Sequence, residues 1–160
     1  MTTCRIVYLS LALFATPSAA SVALAQHDHV LQNEQDVKWV DAPKFLPAGA
    51  KIAVLEGNPA EKGPFTIRAK FPANYKIPAH SHPTDEHVVV LSGALYMGMG
   101  DKLDMEKSEA LKVGGFGLMP AKKNHYAYTK DATTILIFGT GPVEFNYVNP
   151  DDDPRKSEKK

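Results

Sequence analysis

From residue 51 onward the chain is a succession of short segments rich in β-branched and aromatic residues, each closed by turn residues. Such spacing predicts an all-β sandwich or barrel, because alternating strands and crossover helices would need longer periodic stretches between them. The segments fall at residues 51–55, 65–71, 75–82, 86–91, 94–99, 116–119, 125–128, 133–139 and 143–148, with Gly57-Asn58-Pro59, Gly63-Pro64 and Gly141-Pro142 as turns. Phe65, Ile67, Ala69 and Phe71 alternate with Thr66, Arg68 and Lys70, which places one face in a core and reads Arg68 as a surface strand charge. Residues 101–111 alone have the loose apolar spacing of a helical turn. Met97, Met99 and Met119 read as core filling, since thioethers pack irregular gaps.

Chemistry concentrates in His80-Ser81-His82-Pro83-Thr84-Asp85-Glu86 and, later, in Pro120-Ala121-Lys122-Lys123-Asn124-His125. Residues two apart on a strand share a face, so His80 and His82 can approach one ion together. Pro83-Thr84-Asp85 reads as a turn that brings Glu86 back on the next strand, Val88-Val89-Val90-Leu91, toward the same point. Three imidazoles and a carboxylate suit one divalent transition metal: Zn, Fe, Mn, Ni or Cu. His87 has the opposite parity to Glu86 and is expected to face away, and Tyr126 and Tyr128 stand in the same relation to His125.

This pattern resembles the two motifs of the cupin superfamily. His80, His82, Glu86 and Gly93 fall at the spacing of the first motif, and Gly114, Pro120 and His125 at that of the second. Three positions depart from it: Asn74 and Lys122 stand where glycines are expected, and Thr129 where an asparagine is expected. None of the three is a metal ligand in the family pattern. The texture is most similar to small, exported single-domain bacterial cupins, of the ChrR-like and RmlC-like kind. The resemblance implies a double-stranded β-helix, the cupin jelly-roll barrel, with His80, His82, Glu86 and His125 as metal ligands. It also implies a small-molecule ligand or substrate and a homodimer.

The N-terminus differs in character. Arg5, an apolar run over residues 6–15 and small residues up to Ala25 make a secretory signal peptide over residues 1–25, cut before Gln26. The chain is therefore expected to be periplasmic or secreted, with no membrane association after cleavage. The single cysteine, Cys4, leaves with that segment, so no disulfide or thiolate ligand is expected in the remainder. Residues 26–50 then form an arm and first strand, 51–149 the cupin domain, and 150–160 a polar tail. His27 and His29 in the arm read as solvated. Acidic and basic residues balance at 18 each in the whole chain, which gives no case for nucleic-acid binding.

Three functions remain open to this sequence. The first is a metal-dependent enzyme, oxygenase-like, acting on a small organic molecule, with Glu86 as the available base. The second is a non-catalytic module that binds or senses a small ligand or a metal. The third is a structural ion in a partner-binding protein.

Overall fold

The structure is a computed structural model and describes residues 29–157. The expected signal segment, with Cys4, and His27 lie outside the described residues. Among the described residues eleven strands run in chain order: β1 Val40–Asp41, β2 Lys51–Gly57, β3 Gly63–Phe71, β4 Lys76–Ser81, β5 Glu86–Ser92, β6 Ala94–Met99, β7 Glu109–Lys112, β8 Phe116–Met119, β9 His125–Thr129, β10 Thr133–Gly141 and β11 Asn146–Tyr147. They make two antiparallel sheets, β1-β2-β3-β10-β5-β8 and β11-β4-β9-β6-β7, which face one another as a jelly roll. Among the described residues no helix is long and apolar enough to cross a membrane.

The alternation in β3 sends Phe65, Ile67, Ala69 and Phe71 inward, all buried, as period-two patterning requires. Ala69 and Phe71 meet Val88 and Val90 of β5, Leu95 of β6 and Ile135 of β10 in one core between the sheets. Each large apolar side chain buried there contributes roughly 1.5–3 kcal/mol relative to exposure. Strand β9, at the centre of the five-stranded sheet, is buried at every position. Arg68 lies on the outer face of β3, as expected, and is ion-paired there with Glu34 of the N-terminal arm. Lys70, beside it, packs over the Trp39 ring.

Two crossings between the sheets decide where the functional residues go. Strand β4 belongs to the five-stranded sheet and β5 to the six-stranded one, so residues 82–85 carry the chain from one sheet to the other. Residues 120–124 make the reverse crossing, from β8 to β9. The loops lie side by side: Lys122 N donates to the His82 carbonyl at 2.7 Å, and Ala121 N donates to Asp85 Oδ1 at 2.7 Å. At the other end, the β5-to-β6 crossing turns at Gly93 with φ 74°, where a Cβ would run into the Ala132 carbonyl.

Several local expectations are corrected. Residues 101–111 do not form a helical turn. Residues 101–108 make a loop in which Asp104 Oδ1 accepts from the Glu106 and Lys107 amides, and the chain then enters β7, paired with β6. Pairing to a sheet edge satisfies backbone groups there and overrides a weak helical pattern. The strand expected over 143–148 shrinks to β11. Val143 N is instead bonded to the Pro59 carbonyl. Met97 packs against the core, whereas Met99 is 53% exposed and fills no core gap. Residues 150–157 carry a short α-helix, Pro154–Ser157, and Arg155 ties them to the domain by donating to the Phe145 carbonyl at 3.0 Å.

Candidate metal centre

His80 lies at the end of β4 and His125 at the start of β9, and the two are direct cross-strand partners. His82 follows in the first crossing loop. Glu86 opens β5, on the opposite sheet, where it pairs with Met119 of β8. All four sequence-predicted residues therefore meet at one end of the barrel, two on one sheet, one on the other and one on the crossing between them. One nitrogen from each of His80, His82 and His125 lies within 4.8 Å of the others. Glu86 Oε2 stands 3.6 Å from His125 Nε2 and 3.8 Å from His82 Nε2.

Backbone carbonyls fix the tautomers. Nδ1 of His80 is 2.7 Å from the Pro78 carbonyl, Nδ1 of His82 is 2.7 Å from the Glu144 carbonyl, and Nδ1 of His125 is 3.0 Å from the Lys123 carbonyl. A carbonyl oxygen only accepts, so each Nδ1 carries the proton and donates. In the neutral form of such a ring, Nε2 is the free lone-pair atom. The Nε2 atoms of His82 and His125 are buried without a hydrogen-bond partner. Buried polar atoms are normally satisfied, and lone pairs converging beside a carboxylate suit a cation. The residues present thus fit a divalent transition ion held by nitrogen and oxygen.

The electrostatics agree. Burial, together with the neighbouring His125 and His82, pushes His80 down to about 3, so it is neutral at physiological pH. His82 is also lowered, chiefly by burial, against the opposing pull of Glu86. Burial pushes Glu86 up, but the surrounding His125, His82 and His80 side chains outweigh it and hold the carboxyl down at about 2. An anionic carboxylate beside neutral imidazoles is the protonation state that ligates metals.

His87 faces the outer side of its sheet, stacked on Phe138 at 5.0 Å, and takes no part in the cluster. Tyr126 and Tyr128 also point away, and their hydroxyls donate to the Asp104 and Met105 carbonyls of the 101–108 loop. His29 is exposed. Three contributors were not read from the sequence. Phe145 stacks on His80 at 4.4 Å and meets His82 edge-on at 4.6 Å, the Glu144 carbonyl orients His82, and Asp85 staples the crossing loops. The first two come from the far end of the chain, and no local spacing signals them. Asp85 was legible as a turn residue, though not as an acceptor for Ala121.

The four residues open onto an interior cavity of about 160 Å³. Its walls come from both sheets and from residues 43–46, and apart from the cluster and residues 84–85 they are apolar.

Comparison with known families matches residues 26–144 to the ChrR cupin-like domain. The chain belongs to the ChrR cupin-like family. Solved cupin structures share its fold at low identity. The polyketide cyclase RemF from Streptomyces resistomycificus superposes with a TM-score of 0.62 at 17% identity, over 86% of this chain and 94% of that one. A protein of Methylibium petroleiphilum PM1, provisionally named an acetylacetone dioxygenase, gives 0.60 at 22% identity, over 82% and 89%. The anti-sigma factor ChrR of Rhodobacter sphaeroides, solved in complex with SigE, gives 0.51 at 17% identity, over 68% of this chain and 52% of that one. Comparison with curated proteins finds no match.

Proposed function

We propose that this cupin is an exported metal-dependent enzyme, oxygenase-like, acting on a small organic molecule. In this reading His80, His82, Glu86 and His125 hold one divalent transition ion. The observation that carries the reading is that three rings, each with Nδ1 bonded to a carbonyl, bring one nitrogen apiece within 4.8 Å of one another, with His82 Nε2 and His125 Nε2 beside Glu86. Bound there, the ion would supply Lewis acidity to an oxygen-bearing ligand. The protein's own part is to keep His80 neutral and His82 inclined to be so, to present Glu86 as an anion able to take a proton, and to hold the ligand between apolar walls. Export rests on the sequence of residues 1–25, whose single Arg5 offers no twin-arginine signal. A chain that acquires its ion outside the cytosol would take Zn or Cu ahead of Mn or Fe, following the affinity order.

The family match favours a second reading, a non-catalytic cupin module that binds a small ligand or metal. One experiment separates the two. The protein is reconstituted separately with Fe, Mn, Ni, Cu and Zn, and metal content and oxygen uptake are measured over a panel of diols and diketones, with a His80→Ala/His82→Ala control. Turnover specific to one metal and lost in the control supports the enzyme. Stoichiometric metal without turnover supports the binding module, and absence of stoichiometric metal overturns the enzyme and leaves only a module that binds a small ligand.

A further inference from the structure

The walls of the cavity limit what can lie in it. Away from the histidine cluster they are built from side chains such as Phe71, Ile77, Val88, Leu95 and Ile135, with no cationic or amide side chain among the lining residues. Of the two other polar residues, Thr84 Oγ1 donates to the Thr140 carbonyl at 2.7 Å, and Asp85, exposed at the rim, accepts from Ala121 N through Oδ1. A charged or strongly polar group on the body of a ligand would lose its water here and gain no partner. Among the described residues, the buried side-chain atoms of this lining that have no hydrogen-bond partner are His82 Nε2 and His125 Nε2.

Size is limited too. An apolar cavity of roughly 150 Å³ holds a guest the size of benzene, so about 160 Å³ corresponds to roughly six to ten non-hydrogen atoms. One wall is not part of either sheet. Phe45, from the loop after β1, stacks on Phe145 at 4.7 Å, and Phe145 stacks in turn on His80 at 4.4 Å. That loop is fixed from behind by the Tyr147 hydroxyl, which donates to the Phe45 carbonyl at 2.6 Å, and by the Tyr75 hydroxyl, which donates to the Pro47 carbonyl.

We propose that the cavity selects a compact molecule with an uncharged hydrophobic body and a single oxygen-bearing end directed at the histidines, and that Phe45 sets its upper size. The orientation of the polar end rests on the metal reading above; the hydrophobic body and the size limit do not.

The test therefore has a metal-free and a metal-loaded arm. Benzene, which has no ligating atom, is titrated into metal-free protein and followed by amide chemical shifts; saturable shifts at Val88, Leu95 and Ala127 are expected, and their absence overturns the proposal. Zn-loaded protein is then titrated calorimetrically with catechol and with 3,4-dihydroxybenzoate, which has the same chelating end and a carboxylate on its body. Corrected for affinity toward free Zn, the carboxylated probe is expected to bind at least tenfold more weakly, and equal binding overturns the selectivity. Benzene binding without Zn binding would remove the metal reading and leave the cavity intact. 4-tert-Butylcatechol should be refused by the wild type and accepted by Phe45→Ala at unchanged Zn stoichiometry. Phe45→Leu, a smaller change, should show an intermediate gain, and no gain in either folded variant overturns the role of Phe45.

Discussion

Lys122 donates its backbone N–H to the His82 carbonyl at 2.7 Å from a left-handed backbone, φ 61°. The bond joins the two crossing loops, so the family's turn is kept although its glycine is not. A left-handed conformation costs a side-chain-bearing residue roughly 1–2 kcal/mol, against roughly 0.5–1 kcal/mol of extra unfolded-state entropy for glycine. Lys122→Gly is therefore expected to raise the urea-unfolding free energy by about 0.5–1 kcal/mol, and Lys122→Val to lower it. A fall in the glycine variant would contradict this account.

Thr129, standing where the family has asparagine, ties two backbone points together. Its hydroxyl donates to the Pro72 carbonyl at 2.7 Å and accepts from Tyr75 N at 3.1 Å. Thr129→Val keeps the volume and strands a buried donor, so chemical denaturation should show a loss of about 1–3 kcal/mol. A loss near zero would mean that water replaces the hydroxyl.

Much of this was legible because strand chemistry is local. The alternation in β3 and the His80, His82 and Glu86 spacing are properties of short segments, and the structure brings those residues together with His125 as the spacing predicted. What the sequence concealed was non-local. Strand β7 exists because β6 offers Leu95 and Tyr96 as partners to Leu111 and Ala110, a pairing no window over charged residues 101–111 contains. Phe145 is 65 positions from His80 and reaches it only because β11 returns alongside β4. The left-handed turns at Asn74 and Lys122 show the converse: a tertiary frame imposes the backbone, and residues less suited than glycine adopt it.

Glu86→Gln preserves shape and removes the only carboxylate of the cluster. Zn affinity, measured by competition with a chromogenic chelator, should fall by at least about tenfold. The metal-free variant should be less stable than the wild type near neutral pH, since the surrounding histidine side chains favour the carboxylate that the amide replaces. Undiminished affinity would exclude Glu86 as a ligand.

Acid should unfold the metal-free protein early. His80 is depressed from its ordinary value of 6.5 to about 3, so between those values the unfolded chain binds a proton that the folded chain refuses. Stability from this residue is fully present above pH 6.5 and is lost as pH falls toward 3. Glu86, held at about 2, acts in the same direction below about pH 4.5. Denaturation midpoints of metal-free protein should drop steadily from pH 7 to pH 4. His80→Phe, if it folds, should flatten the upper part of that curve, and an unchanged slope would assign the loss to other groups.

His80 and His125 stand on one sheet and Glu86 on the other, all at the same rim. Anything that grips all of them spans the seam between two half-shells, as a clasp closes a purse. Opening at that rim would then be governed by occupancy of the clasp, while the opposite rim, turned by Gly93, would breathe at its own rate. Amide exchange read strand by strand should divide the barrel in this way: with Zn added, the ends of β4, β5 and β9 nearest the histidines slow together across both sheets, and the Gly93 end keeps its pace.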